Sequence, residues 1–140
     1  MTKPLADSIL FSGLDESELA LIEQAGNYAQ AEKGTFLFFE GDSADRFYVV
    51  LSGKVKVAKN SPEGKEQILL LAGPGDSFGE AALFARRKYP ATAEVIAGGD
   101  LISFSYEKFM ALIRDNPSLA VNLIARLSML LHHLTRIIQN

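Results

Sequence analysis

The stretch GDSFGEAALFARRKYPATAEV, Gly75 to Val95, contains the residues of this 140-residue chain best placed to do chemistry. A turn leads into Gly79 and Glu80, followed by the small residues Ala81 and Ala82. Glycine lets a ligand approach the backbone closely, and N–H groups at a helix start face an anion. A basic loop of Arg86, Arg87 and Lys88 follows, and Tyr89, Pro90, Ala91 and Thr92 then lead into an alternating strand. The chemistry suggested is the holding of a small molecule, not its conversion. Glu80 also has a purely structural use, capping its short helix or pairing with Arg87, because a buried unpaired carboxylate is costly.

An enzyme finds little material here. The chain has two histidines and no cysteine. It shows no Ser-His-Asp arrangement, no His-rich metal spacing and no phosphate-cradling loop. Without cysteine there are no disulfides, thiolate metal sites or cysteine-held iron–sulfur clusters, which fits a cytoplasmic protein. The net charge of −3 is spread along the chain, so no basic face offers itself to nucleic acid. No apolar run approaches a membrane span and no secretory signal is visible, so no membrane partner is expected.

Three zones must position the central stretch. Asp15 and Glu18 have capping-box spacing ahead of Leu19, Leu21, Ile22 and Ala25, and Gly26 can end that helix. Short strands punctuated by turns come next: TFLFFE, RFYVVL, KVKVAK, EQILLLA, ATAEVIA and LISFSY. Their spacing predicts an antiparallel sandwich or barrel. The third zone is helical. A short helix around Glu107–Arg114 is followed by Asn116 as N-cap and Pro117 as first residue of a long helix. Ile124, Leu127, Leu131, Leu134 and Ile138 follow a 3-4-3-4 spacing along it, with Leu123, Leu130 and Ile137 beside them. One reading lays this helix flat on its own barrel. The other, favoured because the seam runs to the end of the chain, pairs it with the same helix of a second copy.

The DRFYVVLSGKVKV segment, the GDSFGEAALF segment and the long last helix together resemble the sensory domain of the cyclic AMP receptor protein/fumarate–nitrate regulator (CRP/FNR) family of bacterial transcription factors. The resemblance covers essentially the whole chain. It implies a mainly β fold with flanking helices: an antiparallel jelly-roll β-barrel of the cyclic-nucleotide-binding-domain type, then a dimerisation helix. Residues 1–116 are then the effector-sensing domain and 117–140 the dimerisation helix. The helix-turn-helix domain through which such proteins meet DNA is absent from this chain, and a truncation at Asn140 is the expectation.

The resemblance also assigns roles. Gly79 and Glu80 match a Gly-Glu pair whose glutamate accepts from a ribose hydroxyl. Ala81, Ala82, Tyr89, Ala91 and Thr92 would line the ligand. An arginine about ten residues on neutralises the phosphate in nucleotide binders, and its place falls at Pro90. Losing a charge-assisted hydrogen bond of roughly 1.5–3 kcal/mol weakens binding about ten- to a hundred-fold, so cyclic AMP is disfavoured. Replacement by Arg86, Arg87 or Lys88 stays open. The pattern from Phe84 through Tyr89 to Ala91-Thr92-Ala93 resembles the nitric-oxide-responsive branch, which uses haem. His132, His133 and Met129 are then candidate haem ligands, against the plainer reading of exposed and packing residues on the last helix. Two other classes remain: a cyclic-nucleotide module attached to a kinase or channel, and a dimerisation domain whose pocket is filled by Phe78, Phe84 and Tyr89.

Overall fold

The computed structural model describes residues 5–139. Helix α1 (Glu16–Ala25) is followed by strands β1 (Asn27–Ala31), β2 (Phe36–Phe38), β3 (Arg46–Val50), β4 (Lys54–Asn60), β5 (Glu66–Ala72) and β6 (Ser77–Phe78). Helix α2 (Glu80–Phe84), strands β7 (Thr92–Ala97) and β8 (Gly99–Ser105), and helices α3 (Tyr106–Asp115) and α4 (Pro117–Gln139) complete the chain.

The strands form two antiparallel four-stranded sheets, ordered β1-β8-β3-β6 and β2-β7-β4-β5. Every strand connection except the β4–β5 hairpin carries the chain from one sheet to the other. The architecture is therefore a jelly roll, as expected, but the two sheets do not close into a barrel. Each keeps free edges, β1 and β6 in one sheet and β2 and β5 in the other.

Strand β3 shows why the sheets stack. Tyr48 and Val50 point between the sheets, where they meet Phe38, Val55, Phe78, Tyr89, Ala93, Val95 and Leu101. Phe47 and Val49 point the other way, into a second core with Phe11, Ile22, Leu83, Ile102, Phe104, Phe109, Leu119 and Leu123. The strand is thus covered on both faces and carries a near-continuous apolar run. Strand β4 has the one-wet-face pattern, with Val55 buried between two lysines.

The expected capping box is present. Asp15 Oδ1 accepts from Glu18 N at 2.8 Å, and Glu18 Oε1 accepts from Asp15 N at 3.1 Å. Asn116 behaves differently from expectation: its Nδ2 turns back to donate to Leu112 O at 3.0 Å, at the end of α3, while its carbonyl accepts from Leu119 N. The α3–α4 corner is so tight that the amide finds an unpaired carbonyl behind it sooner than the N–H groups ahead.

Candidate functional site: the Gly79–Thr92 cassette

Gly79 ends β6 and starts α2 in a left-handed conformation, φ 91°. A Cβ there would stand 3.3 Å from Arg46 O and 3.5 Å from the Tyr89 ring, so the backbone reversal and the close approach both call for glycine. Helix α2 straddles the two cores: Ala82 faces the space between the sheets and Leu83 the helical side. Ala81 is exposed, and Phe84, also exposed in part, leans on Phe47 and Phe109 at centroid distances of 5.7 and 5.6 Å.

Glu80 is half-buried and its Oε2, fully covered, has no hydrogen-bond partner. Burial pushes its carboxyl pKa up, opposed by its own backbone N–H and by the Ser77 hydroxyl. One part of the carboxylate is thus supported by donors, while Oε2 is covered without one.

Tyr89 is 2% exposed. Its ring lies on Phe38 at 3.7 Å between centroids and 8° from parallel. Phe38 in turn touches Tyr48 and Phe78, which stack at 5.2 Å. The Tyr89 hydroxyl accepts from Asp45 N and Arg46 N at 3.3 and 3.2 Å and donates to Arg46 O at 2.6 Å, with Asp45 Oδ1 also 3.3 Å away. Burial pushes the Tyr48 phenol to about 12, so it remains a protonated donor; its hydroxyl reaches Leu37 O at 3.4 Å. Ala91 is buried, and Thr92 Oγ1 accepts from Glu40 N at 2.9 Å. Of the expected lining residues, Gly79, Tyr89 and Ala82 meet at the aromatic block, Thr92 is tied to the β2 end, and Ala81 faces out.

The basic loop does not reach in. Arg86 adopts φ 56°, the one positive φ outside glycine among the described residues, and its guanidinium lies 3.8 Å over the Tyr106 ring at the start of α3. Arg87 and Lys88 are exposed, their segment pinned to 43–44 by backbone contacts. Pro90 is exposed. Arg46, which spacing did not single out, has its backbone against Tyr89 and Gly79. Strand alternation places Arg46 on the same inward face as Tyr48 and Val50, and its Nη1 donates to Ser103 Oγ at 3.0 Å. RFYVV is apolar from its second residue on, so the sequence pattern did not show which way Arg46 turns.

On α4, Leu119 and Leu123 are buried, and Asn122 Nδ2 donates to Glu18 Oε2 at 2.6 Å. Ile124, Leu127, Leu131 and Leu134 are all exposed, as is Met129 at 70%. The Ile138 side chain lies outside the described residues. His132, His133 and Met129 border a shallow hollow with Ser128 and Arg136, walled by α4 alone. Among the described residues no three His, Asp or Glu stand together as a metal site. These side chains do not fit a haem within one protomer, because nothing opposite them encloses the ring.

A two-sheet jelly roll with a Gly-Glu pair opening a short helix between β6 and β7, flanked by helices, defines a ligand-sensing module. Residues 29–116 match the cyclic nucleotide-binding domain, and the chain belongs to that family, in its CRP/FNR form. It is 30% identical over 124 residues to a CRP-like cAMP-activated global transcriptional regulator of Mycobacterium tuberculosis, covering 89% of this chain and 55% of that protein. The N-terminal domain of a transcriptional regulator from Streptomyces coelicolor superposes with a TM-score of 0.85 at 29% identity, covering 97% of this chain and 95% of that one. DNR from Pseudomonas aeruginosa superposes at 0.78 with 32% identity, covering 98% and 61%. The chain spans about half the length of the curated regulators it matches first. No helix among the described residues is long and apolar enough to cross a membrane.

Proposed function

We propose that this chain is the effector-sensing and dimerisation domain of a cytoplasmic CRP/FNR-type transcription regulator, coupling a small ligand to DNA binding by a further domain. The effector is not a cyclic nucleotide bound in the usual way. One observation carries this: the cassette keeps its acceptor, Glu80, with a covered oxygen lacking a donor, while Pro90 stands where a phosphate-binding arginine belongs. Arg86 is engaged with Tyr106 and does not compensate. Such a site suits a ligand that donates hydrogen bonds and bears no phosphate. The exposed row Ile124, Leu127, Leu131 and Leu134 supports pairing with a second copy, whose approach would respond to the ligand.

Thermal unfolding with and without 1 mM cyclic AMP tests the reading. A ligand with a Kd of about 10 μM would add about 2.7 kcal/mol, roughly 9 °C for a chain of this size. A site about ten- to a hundred-fold weaker would add only about 0.4–1.4 kcal/mol, so the expected shift is at most about 5 °C, and a shift near 9 °C would favour a nucleotide module with a variant phosphate contact. A haem titration followed in the Soret region tests the gas-sensing reading. One saturating haem per chain, lost in His132→Ala or His133→Ala, would require the second copy to complete the site.

A further inference from the structure

The β1 and β2 edges border a cleft of their own. Between β1 and β2 lies a cavity of about 390 Å³ bounded by Ala29, Ala31, Leu37, Leu101, Tyr48 and Ser103, among others. That volume is within the range of small-molecule sites, which combine apolar walls with a few convergent polar groups. The sheet register fixes what those groups are. Asn27, Ser103, Tyr48 and Phe78 form one row across the sheet, all on the inward face. Tyr48 is therefore a shared wall, with the cleft on its β1 side and Phe78 of the aromatic block on the other.

Arg46 sits one step beyond this row, paired in register with Ser105, and reaches back to Ser103. Its other partner is the exposed carboxylate of Asp45, at 4.0 Å, so its forked N–H groups lack a bidentate acceptor among the described residues. Asn27 supplies an amide at the same end. Glu32 and Thr35 lie at the opposite end, beyond Ala31 and about 13 Å along β1 at the rise of an extended strand. Arg46 is not itself part of the cleft wall; it stands 3.0 Å behind Ser103, so the cleft has a donor-rich end with a cation next to it, apolar walls and an acidic far end.

We propose that the β1–β2 cleft is a second ligand site, taking a small organic carboxylate with an apolar body. The carboxylate lies against Ser103 and Asn27, with Arg46 behind Ser103 to draw the charge, and the body lies over Ala29, Leu101 and Tyr48. Its occupant presses on the Tyr48 ring and through it on the Phe38–Tyr89 stack. The site does not depend on what the Gly79–Thr92 cassette binds.

The test uses ¹⁵N-labelled chain titrated to 10 mM with 4-methylbenzoate, and with 4-methylbenzyl alcohol as the neutral analogue. Saturable amide shifts are expected at Asn27, Ala29, Ala31, Leu101 and Ser103. The carboxylate should bind at least about tenfold more tightly than the alcohol, the scale of one charge-assisted hydrogen bond. Arg46→Met should remove that preference. Ala29→Leu, which fills the cleft and leaves the cation in place, should remove binding of both probes. Shifts confined to Gly79–Thr92, equal binding of the two probes, or no saturable shift by 10 mM would each overturn the proposal. Cassette and cleft amides are separate reporters, so a failure of one site is not read as a failure of the other.

Discussion

Replacing Glu80 by glutamine tests whether the cassette is held short of a donor. In the folded chain the Glu80 carboxyl has a pKa raised above 4.5, chiefly by burial, so it binds its proton more tightly than in the unfolded chain. The folded state then holds more protons in the window just above 4.5, and stability falls as pH rises through the folded-state pKa. Below that window both states are protonated and the penalty is absent. A covered, unpartnered acceptor costs roughly 1–3 kcal/mol, and with one oxygen only fully covered the lower half, about 1–2 kcal/mol, applies. Unfolding a chain of 140 residues carries an entropy of about 0.3 kcal/mol per kelvin, so Glu80→Gln should raise Tm by roughly 3–7 °C at pH 7.5. At pH 4.5 variant and wild type should melt within about a degree of each other. Calorimetric scans across that pH range measure both. A variant no more stable at pH 7.5 than at pH 4.5, relative to wild type, would refute the reasoning, because it would mean that Glu80 is already satisfied.

Tyr89→Phe keeps the stack on Phe38 and removes the hydroxyl shared by Asp45 and Arg46, so Tm should drop by about 3–10 °C for roughly 1–3 kcal/mol. An unchanged Tm would show those backbone groups to be hydrated. Leu131→Glu with Leu134→Glu replaces two exposed residues of the α4 row and should give a monomer in sedimentation while leaving the fold intact; a persistent dimer would place the interface elsewhere. Arg86→Val loses the contact with Tyr106 and forces a β-branched residue to φ 56°, and should lower stability by about 1–2 kcal/mol, whereas Arg86→Gly should be close to neutral. Denaturant titrations of the two variants separate them.

Much of the fold was legible because it rests on local pattern. Strands β3, β4, β5, β7 and β8 follow runs of alternating or continuous apolar residues, and the Asp15–Glu18 spacing gave a capping box that the structure contains. Strand β1 was not legible: NYAQA is polar and small, and it is a strand only because β8 offers an edge to pair with. The glycine–glutamate step was visible as a motif, yet what surrounds it depends on contacts far apart in sequence. Tyr89 reaches the Asp45–Arg46 backbone across more than forty residues, and Phe38 comes from a strand on the other sheet. Nothing in YPATA by itself points its tyrosine inward. The loop cations were an open question in sequence, and a left-handed residue with a ring to lie on aimed Arg86 at α3 instead. Arg46 was hidden as well: its neighbours Phe47 to Val50 are apolar without alternation, and only the pairing of β3 with β8 shows which face it takes.

The central claim is that this sensory cassette retains its glutamate without a phosphate clamp. Isothermal calorimetry of cyclic AMP with the purified chain, beside Glu80→Ala, tests it most directly. The account predicts that the wild type, weakened about ten- to a hundred-fold from the roughly 10 μM of an intact arginine contact, binds no more tightly than about 0.1 mM, and Glu80→Ala more weakly still. Micromolar binding by the wild type that disappears in Glu80→Ala would contradict it, and would mean that the pocket grips a phosphate without an arginine at position 90.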